Sequence, residues 1–395
     1  MATVRLRPGH VQPVWAGHPW VFAQAIAEVD GAPAAGDVVR VVDARGQLLG
    51  KGYYSPKSAI PVRILTRSES DPLDAPALGR RIADAARWRR PLLGLPSEET
   101  TGYRLVHAEG DGLAGLVVDV YGDVAAVQLL TIGMKLREAD IFAEVERVTG
   151  AKSIVEFASA RMQKLEGFET RTGVVRGPDV AALRFRERGF DYEIELENAQ
   201  KTGFYFDQRD NRALVERYAK DRRVLDAFSY VGGFALCAAR GGAQSVLAID
   251  SSAPAITQGA RVAHRHGLHE RIDFQKADVK RALPDLAQRG ELFDMVIVDP
   301  PKLAPTARHL EQGRAAYRRL NASALRLVDH GGLLVSCSCS AAMRSGEFLR
   351  TIGLAARDAG REVTLLHVGE QAPDHPVPPS FPEGRYLKCA VLRIS

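Results

Sequence analysis

Cysteine is scarce in this chain. Its 395 residues hold four, Cys237, Cys337, Cys339 and Cys389, and no two stand at the spacing of a disulfide staple or a zinc-binding pair. That excludes a disulfide-built secreted scaffold and favours a reducing compartment; no metal site is expected. Long apolar runs are missing too. Nothing reaches the roughly 18–20 residues that cross a bilayer, and residues 1–14 contain no apolar core of signal-peptide length. A cytoplasmic protein with no membrane partner is the expectation. The turn at 227–234, which follows the first strand of the C-terminal α/β region, also lacks the G-x-G-x-x-G spacing with which a dinucleotide turn frees helix amides for a pyrophosphate. A nicotinamide dehydrogenase is therefore disfavoured.

What is present suits a globular protein, with 46% hydrophobic and 26% charged residues. The length exceeds one ordinary core, so two or three domains are expected. A net charge of +5 permits a polyanionic partner such as RNA without demanding one. Much of the excess lies early, where residues 1–68 hold eight Lys or Arg against four Asp or Glu.

Three regions separate along the chain. Short β-type runs at 38–42, 48–54 and 60–65, divided by Gly, Pro and Asp, predict a small barrel over residues 1–70. A helix is predicted over 77–88, with Pro76 near its start and Pro91 beyond its end. Apolar runs at 115–121 and 124–130, joined by Gly122-Asp123, predict a hairpin. With a helix at about 136–149 and a strand at 153–157 they make a central α+β domain, 71–187. From 188 to 395 the pattern changes to strands alternating with helices, at 223–227, 245–249, 272–276, 295–298 and 332–337. This is the βαβ rhythm of a doubly wound, mostly parallel sheet. The last two runs, 362–368 and 386–394, have only a Pro-rich stretch between them, so the final strand is expected to insert antiparallel. An α/β sheet of this Rossmann-like kind with such an ending is characteristic of class I methyltransferases.

The cofactor reading starts at the first of these strands. Asp226 ends it, and the chain turns through Phe228, Ser229, Gly232 and Gly233 into a helix at 235–240. Glycines let the backbone approach a ligand at the carboxyl end of a sheet. A phosphate-free nucleoside carrying an amino acid and a sulfonium, S-adenosyl-L-methionine, fits better here than a dinucleotide. Asp250, with Ser251 beside it, ends the second strand where a carboxylate can take both ribose hydroxyls. Asp278 follows the third strand and can accept from the adenine amino group. Each acid alone reads as a helix cap or turn residue; three at successive strand ends favour a nucleoside site.

The catalytic reading rests on Cys339. A thiolate adding to C6 of a pyrimidine makes C5 nucleophilic, C5 takes the methyl, and loss of the C5 proton expels the cysteine. Asp299-Pro300-Pro301-Lys302 ends the preceding strand, which is expected to neighbour the one before Cys339. Asp299 is then a candidate for the N3 edge of the base and for the cofactor. Cys337, two residues earlier, is expected on the same side of the strand as Cys339 and is the competing thiol, though its place nearer the strand interior reads as that of a small core residue, as do Cys237 and Cys389. A second reading takes the Asp299-Pro300-Pro301 turn as the centre of a methyltransferase acting on exocyclic amines, although Lys302 and Leu303 stand where an aromatic would be wanted. A third is an RNA-binding assembly factor without catalysis. Lys302 reads either as a phosphate contact or as a solvated surface lysine.

At these residues the chain resembles a known family. The segment 197–212, which contains Lys201, Tyr205, Gln208 and Arg209, is similar to the signature of the RlmI-like large-subunit ribosomal RNA methyltransferases. So are the turn from Asp226 to Phe234, the Asp299-Pro300-Pro301-Lys302 loop, Ser338-Cys339-Ser340, the segment 103–113 and His18-Pro19-Trp20-Val21-Phe22. The resemblance covers essentially the whole chain. It implies an N-terminal PUA-like RNA-binding barrel, a central domain and a Rossmann-like methyltransferase domain. It also implies S-adenosylmethionine-dependent formation of 5-methylcytosine in 23S ribosomal RNA, naked or in an early large-subunit intermediate. Cys339 falls on the family's nucleophile position. Lys201, Tyr205, Gln208 and Arg209 fall in the segment that lines the cofactor and base pocket, with Lys201, Tyr205, Pro300, Pro301 and Lys302 towards the substrate. The base must be single-stranded or flipped out to present C6. The target nucleotide, and whether the protein forms a homodimer, stay open.

Overall fold

Valines at alternate positions turn inward from the strand Val38–Val42, where Val39 and Val41 are buried, as a half-solvated strand requires. The computed structural model, which describes residues 1–199 and 201–395, pairs this strand into a six-stranded sheet. Gln200, inside the 197–212 segment, lies outside the described residues. Across the sheet the order is Trp20–Val21, Val62–Thr66, Leu48–Tyr54, Val38–Val42, Ala2–Leu6 and Ile26–Asp30. Three of these strands carry no usable periodicity in the sequence, because two to five residues of mixed polarity read as loop. Val4, Leu6, Val21, Val41 and Val62 build the core.

The helix Ala75–Leu93 departs from expectation at its end. Asp74 caps it by accepting from the Ala77 amide at 2.9 Å, but the helix runs through Pro91 and stops at Gly94, which takes φ 63°. Pro91 sits in the last turn, so its missing N–H and its ring disturb little more than the hydrogen bond it replaces. The helix covers a second sheet of five strands, ordered Gly173–Arg176, Ser153–Glu156, Val124–Leu129, Leu116–Tyr121 and Gly102–His107. Buried Arg89 reaches from it to both carboxylate oxygens of Asp111, at 2.9 and 2.8 Å. A further hairpin, Ala182–Glu187 with Phe190–Glu195, stacks Phe185 on Tyr192 at 5.2 Å and brings Phe204 and Phe206 into the same aromatic cluster. Thr202 donates to Asp119 and the Phe204 amide to the Tyr121 hydroxyl. These bonds tie residues up to Phe206 to the first half, so the chain divides into two units, 1–206 with 373–384, and 207–372 with 385–395. The break falls past the 187/188 boundary expected from the sequence.

The second unit holds one sheet of seven strands: β1 (Arg223–Ala227), β2 (Ser245–Asp250), β3 (Ile272–Lys276), β4 (Phe293–Val298), β5 (Val328–Ser338), β6 (Val363–Gly369) and β7 (Lys388–Ile394). Their order is β3-β2-β1-β4-β5-β7-β6, parallel except for β7, which runs antiparallel to both β5 and β6. The antiparallel insertion expected from the helix-free connection is what the sheet contains. Helices α1 (Arg209–Tyr218), α2 (Gly233–Arg240), α3 (Ala253–Arg265), α4 (Val279–Gln288), α5 (Leu310–Leu325) and α6 (Ser345–Ala359) flank it. Strands β1 and β4 are continuous buried runs, as a sheet covered on both faces demands. Every parallel strand delivers its carboxyl end to one edge, and β1, β2, β4 and β5 end there in Asp226, Asp250, Asp299 and Cys339 or one residue to either side. Among the described residues no helix is long and apolar enough to cross a membrane.

Candidate active site

The turn after β1 is strained by design of its bonds. Phe228, Tyr230 and Gly232 take left-handed backbone, with φ 67°, 51° and 75°; for the two non-glycines this costs on the order of 1 kcal/mol each. The Ser229 amide donating to Ile249 O at 3.0 Å and the Tyr230 amide donating to Asp250 Oδ2 at 2.9 Å hold it. At Gly232 a Cβ would stand 2.6 Å from the Phe274 ring, so packing alone demands glycine there. Asp226 is fully buried and accepts from the Ala235 amide through Oδ2 at 2.9 Å. Among the described residues its Oδ1 and the buried Ser229 Oγ have no hydrogen-bond partner. Burial pushes the Asp226 carboxyl up to about 8; the Ala235 N–H opposes this, while Asp299 and Asp250 add to it.

Asp250 is half-buried, and both its oxygens take backbone amides, from Tyr230 and from Ser252 at 2.8 Å. Ser251 is exposed. Asp278 is exposed as well and caps α4, accepting from the Lys280 amide at 2.9 Å. A carboxylate has about four lone-pair positions, so these bonds fix the two acids and leave acceptor capacity on each.

Asp299 is positioned by a residue from far back in the chain. Gln208 Nε2 donates to Asp299 Oδ2 at 3.0 Å, and Gln208 Oε1 accepts from Asn211 Nδ2 at 2.6 Å. Gln208 and Arg209 are both buried, at the start of α1. The structure thus brings Asp226, Asp250, Asp299 and Gln208 to one end of one sheet. Lys201 and Tyr205 belong to the other unit, where the Lys201 ammonium lies 4.4 Å over the Tyr205 ring. Phe228, Pro300, Pro301 and Leu303 line a cavity of about 330 Å³ with Leu283 and Leu320. Lys302 is exposed.

The two cysteines of the β5 end differ in setting. Cys337 lies within β5, fully buried opposite Cys389 of β7. Its hydrogen bond with Cys389 and its burial push its thiol well up. Cys339 lies one residue beyond β5 and is partly exposed. Strand alternation, which put both thiols on one side, stops applying once the strand has ended. The Cys339 turn is anchored by Tyr317 of α5: Ser338 Oγ donates to its hydroxyl at 2.9 Å, and that hydroxyl lies 3.1 Å from Ser340 Oγ. Ser340 Oγ also accepts from the Ala304 amide at 3.1 Å, which joins this turn to the loop after Asp299. Below it Lys388 of β7, 4% exposed, donates to Ser340 O at 2.7 Å.

Sequence reasoning missed Tyr317, Asn211 and Lys388. For Tyr317 no local signal exists, since it is one polar residue on a helix; Asn211 stands inside the 197–212 segment, but nothing local singles it out as the partner of Gln208. Lys388 had one: it interrupts the apolar run from Leu387 to Leu392, where a strand reads as buried.

A 3-2-1-4-5-7-6 sheet with these acids at its carboxyl ends is that of an S-adenosylmethionine-dependent methyltransferase, and residues 166–393 match the family described in those words. Residues 4–67 match the PUA-like domain. The orphaned Asp226 Oδ1 and Ser229 Oγ fit that cofactor, since its amino acid and ribose carry the donors such atoms lack. The chain belongs to the ribosomal RNA large subunit methyltransferase I family. It is 38% identical over 395 residues to the ribosomal RNA large subunit methyltransferase I of Tolumonas auensis, covering 99% of each chain. To that of Escherichia coli O139:H28 it is 35% identical over 379 residues, covering 95% of each. Among solved structures it is similar to one described as a SAM-dependent methyltransferase from Streptococcus mutans, with a TM-score of 0.85 at 19% identity and all of both chains covered. Another, a methyltransferase complexed with SAH, gives a TM-score of 0.86, also at 19% identity and over all of both chains. These two speak for the fold alone.

Proposed function

We propose that this protein methylates C5 of a cytosine in 23S ribosomal RNA, with Cys339 as the covalent nucleophile. The observation that carries the reading is the position of Cys339: partly exposed, just past β5, next in the sheet to the strand that ends at Asp299, while the other three cysteines are buried. The relatives' name, ribosomal RNA large subunit methyltransferase I, supports a large-subunit ribosomal RNA substrate. An RNA of that kind puts the protein in the cytoplasm, and either naked RNA or an early subunit intermediate exposes the base.

S-adenosylmethionine, when bound, supplies an electrophilic methyl group on its sulfonium. Asp226, Ser229 and Gly232 are assigned to its amino-acid end, Asp250 and Ser251 to its ribose, and Asp278 and Phe228 to its adenine. Gln208 and Arg209 close the same pocket, with Gln208 holding Asp299 in place. Cys339 adds as a thiolate to C6 of the cytosine, which breaks the ring's aromaticity and makes C5 nucleophilic. Asp299, as the protonated acid, donates to N3 as the thiolate adds to C6, and Pro300 and Pro301 wall the base. After C5 is methylated, a solvent base takes the C5 proton, and the freed electron pair re-forms the C5–C6 double bond, expels Cys339 as thiolate and restores the ring. Lys302, and Lys201 over Tyr205, offer cationic and aromatic contacts to the RNA. The barrel of residues 1–70 docks the backbone.

The test is transfer of labelled methyl to unmodified 23S RNA, with the product nucleoside identified by mass spectrometry. Wild type and Cys337→Ala should both yield 5-methylcytosine. Cys339→Ala should lose about a thousandfold or more. Methyl on an exocyclic nitrogen, or full activity in Cys339→Ala, would move the chemistry to the Asp299-Pro300-Pro301 turn.

A further inference from the structure

One buried cation has no part in the mechanism so far. Lys388 occupies a position in β7 flanked by buried Leu387, Cys389 and Ala390. An ammonium in such a strand is unfavourable unless its charge is answered. Two of its three N–H groups go to Ser340 O at 2.7 Å and Tyr386 O at 2.8 Å. The ionisable groups facing it are Cys339 after β5, Lys302 after β4 and Glu370 after β6, and Tyr317 of α5 faces Cys339 in turn. Burial pulls Lys388 down to about 8; Cys339 opposes that, Lys302 adds to it, and Glu370 opposes it. No acid is hydrogen-bonded to Nζ among the described residues, so the two carbonyls leave the charge itself without a direct counter-ion.

We propose that Lys388 is the positioning residue of the nucleophile: it pins the Ser338-Cys339-Ser340 turn through the Ser340 carbonyl and sets its ammonium against the Cys339 thiolate. This rests on the reading of Cys339 as nucleophile. A free thiol of pKa about 8.5 is only a few per cent ionised at neutral pH, and a nearby cation raises that fraction. When Cys339 ionises beside the ammonium form, its proton goes to solvent. When Lys388 is an amine, the thiol proton reaches Nζ through solvent, and the same thiolate–ammonium pair results. Expulsion of Cys339 at the end of the cycle regenerates that pair, so the thiolate leaves into an environment already arranged for it.

The experiment measures the rate at which iodoacetamide alkylates Cys339 in the full-length protein between pH 5.5 and 9.5, read by peptide mass spectrometry. It needs neither RNA nor methyl transfer. Wild type should react as a thiol that ionises below pH 8.5. Lys388→Met and Lys388→Gln should both alkylate at least tenfold more slowly at pH 7, and Lys388→Arg should restore the rate; melting and S-adenosylmethionine binding check that each is folded. Gln keeps donors for the two carbonyls, so a purely structural role would leave its profile like that of wild type. An unchanged profile in either folded neutral variant overturns the proposal. Should neither fold, a wild-type thiol that ionises at or above pH 8.5 overturns it, and one well below upholds it. If Cys339→Ala keeps its methylating activity while Lys388 still controls alkylation, the C5 reading fails and the pairing stands. If Cys339→Ala is inactive and alkylation ignores Lys388, the reverse holds.

Discussion

Asp226 and Cys339 show how one residue's surroundings decide its chemistry. Asp226 is an acid buried beneath the turn that follows it, with no cation hydrogen-bonded to it among the described residues, although the Arg212 charge pulls its pKa down a little against that burial. Its folded pKa, pushed up to about 8 by burial, lies above the value near 4 of an exposed aspartate. The cofactor-free folded chain therefore keeps a proton that the unfolded chain releases. This contribution to stability is complete below about pH 4 and is lost as the pH rises towards 8. Asp226→Asn, neutral at every pH, should lack this loss. Its melting temperature relative to wild type should climb between pH 5 and pH 8, measured without cofactor; a constant difference across that range contradicts the protonated Asp226. Cys339 shows the same dependence on setting. It and Cys337 are two residues apart, yet one lies opposite Cys389 in the sheet and the other lies past its edge. The strand-interior place of Cys337 and the strand-end place of Cys339 were legible in the sequence; that Cys389 stands opposite Cys337 was not.

At the scale of elements, the ends of β4 and β5 are joined by side chains from α5 rather than by their own ladder. The strands pair up to Val298 and Ser336. Beyond that, the Tyr317 hydroxyl bridges Ser338 and Ser340, and Ser340 holds the Ala304 amide. Burial keeps that hydroxyl protonated, with its pKa pushed up to about 12. Tyr317→Phe leaves two buried serine hydroxyls short of a partner, which costs about 1–2 kcal/mol. It should lower the melting temperature by several degrees and slow methyl transfer while leaving S-adenosylmethionine affinity as it was. A parallel fall in cofactor affinity would mean that Tyr317 supports the whole sheet edge instead of the Cys339 turn. The strands themselves were legible in the sequence, because buried parallel strands are unbroken apolar runs and the helix-free link before β7 gives its direction. Helix ends were less so: Pro91 reads as a stop, yet a proline in a last turn displaces only one bond. The Tyr317 bridge was not legible at all, since it joins residues 21 and 23 positions apart by an angle of packing that no local pattern encodes.

The whole molecule pairs a basic, PUA-like region with a methyltransferase sheet, at a net charge of +5. Backbone contacts to RNA release counter-ions, so RNA affinity should fall linearly in log–log terms as salt rises, roughly in proportion to the phosphates engaged. S-adenosylmethionine binding, measured by calorimetry over the same salt range, should change far less. Equal sensitivity would mean that the basic surface acts on the cofactor site and not on RNA. The central claim is the covalent bond between Cys339 and the target ring, and trapping tests it most directly. RNA carrying 5-fluorocytidine has no C5 proton to lose, so the adduct, once methylated at C5, cannot expel Cys339 by elimination. With S-adenosylmethionine present, wild type and Cys337→Ala should give a protein–RNA band that survives denaturing electrophoresis, and peptide mapping should find the link on Cys339. A wild-type enzyme that methylates ordinary RNA but leaves no such band, or a band that persists in Cys339→Ala, would contradict the account.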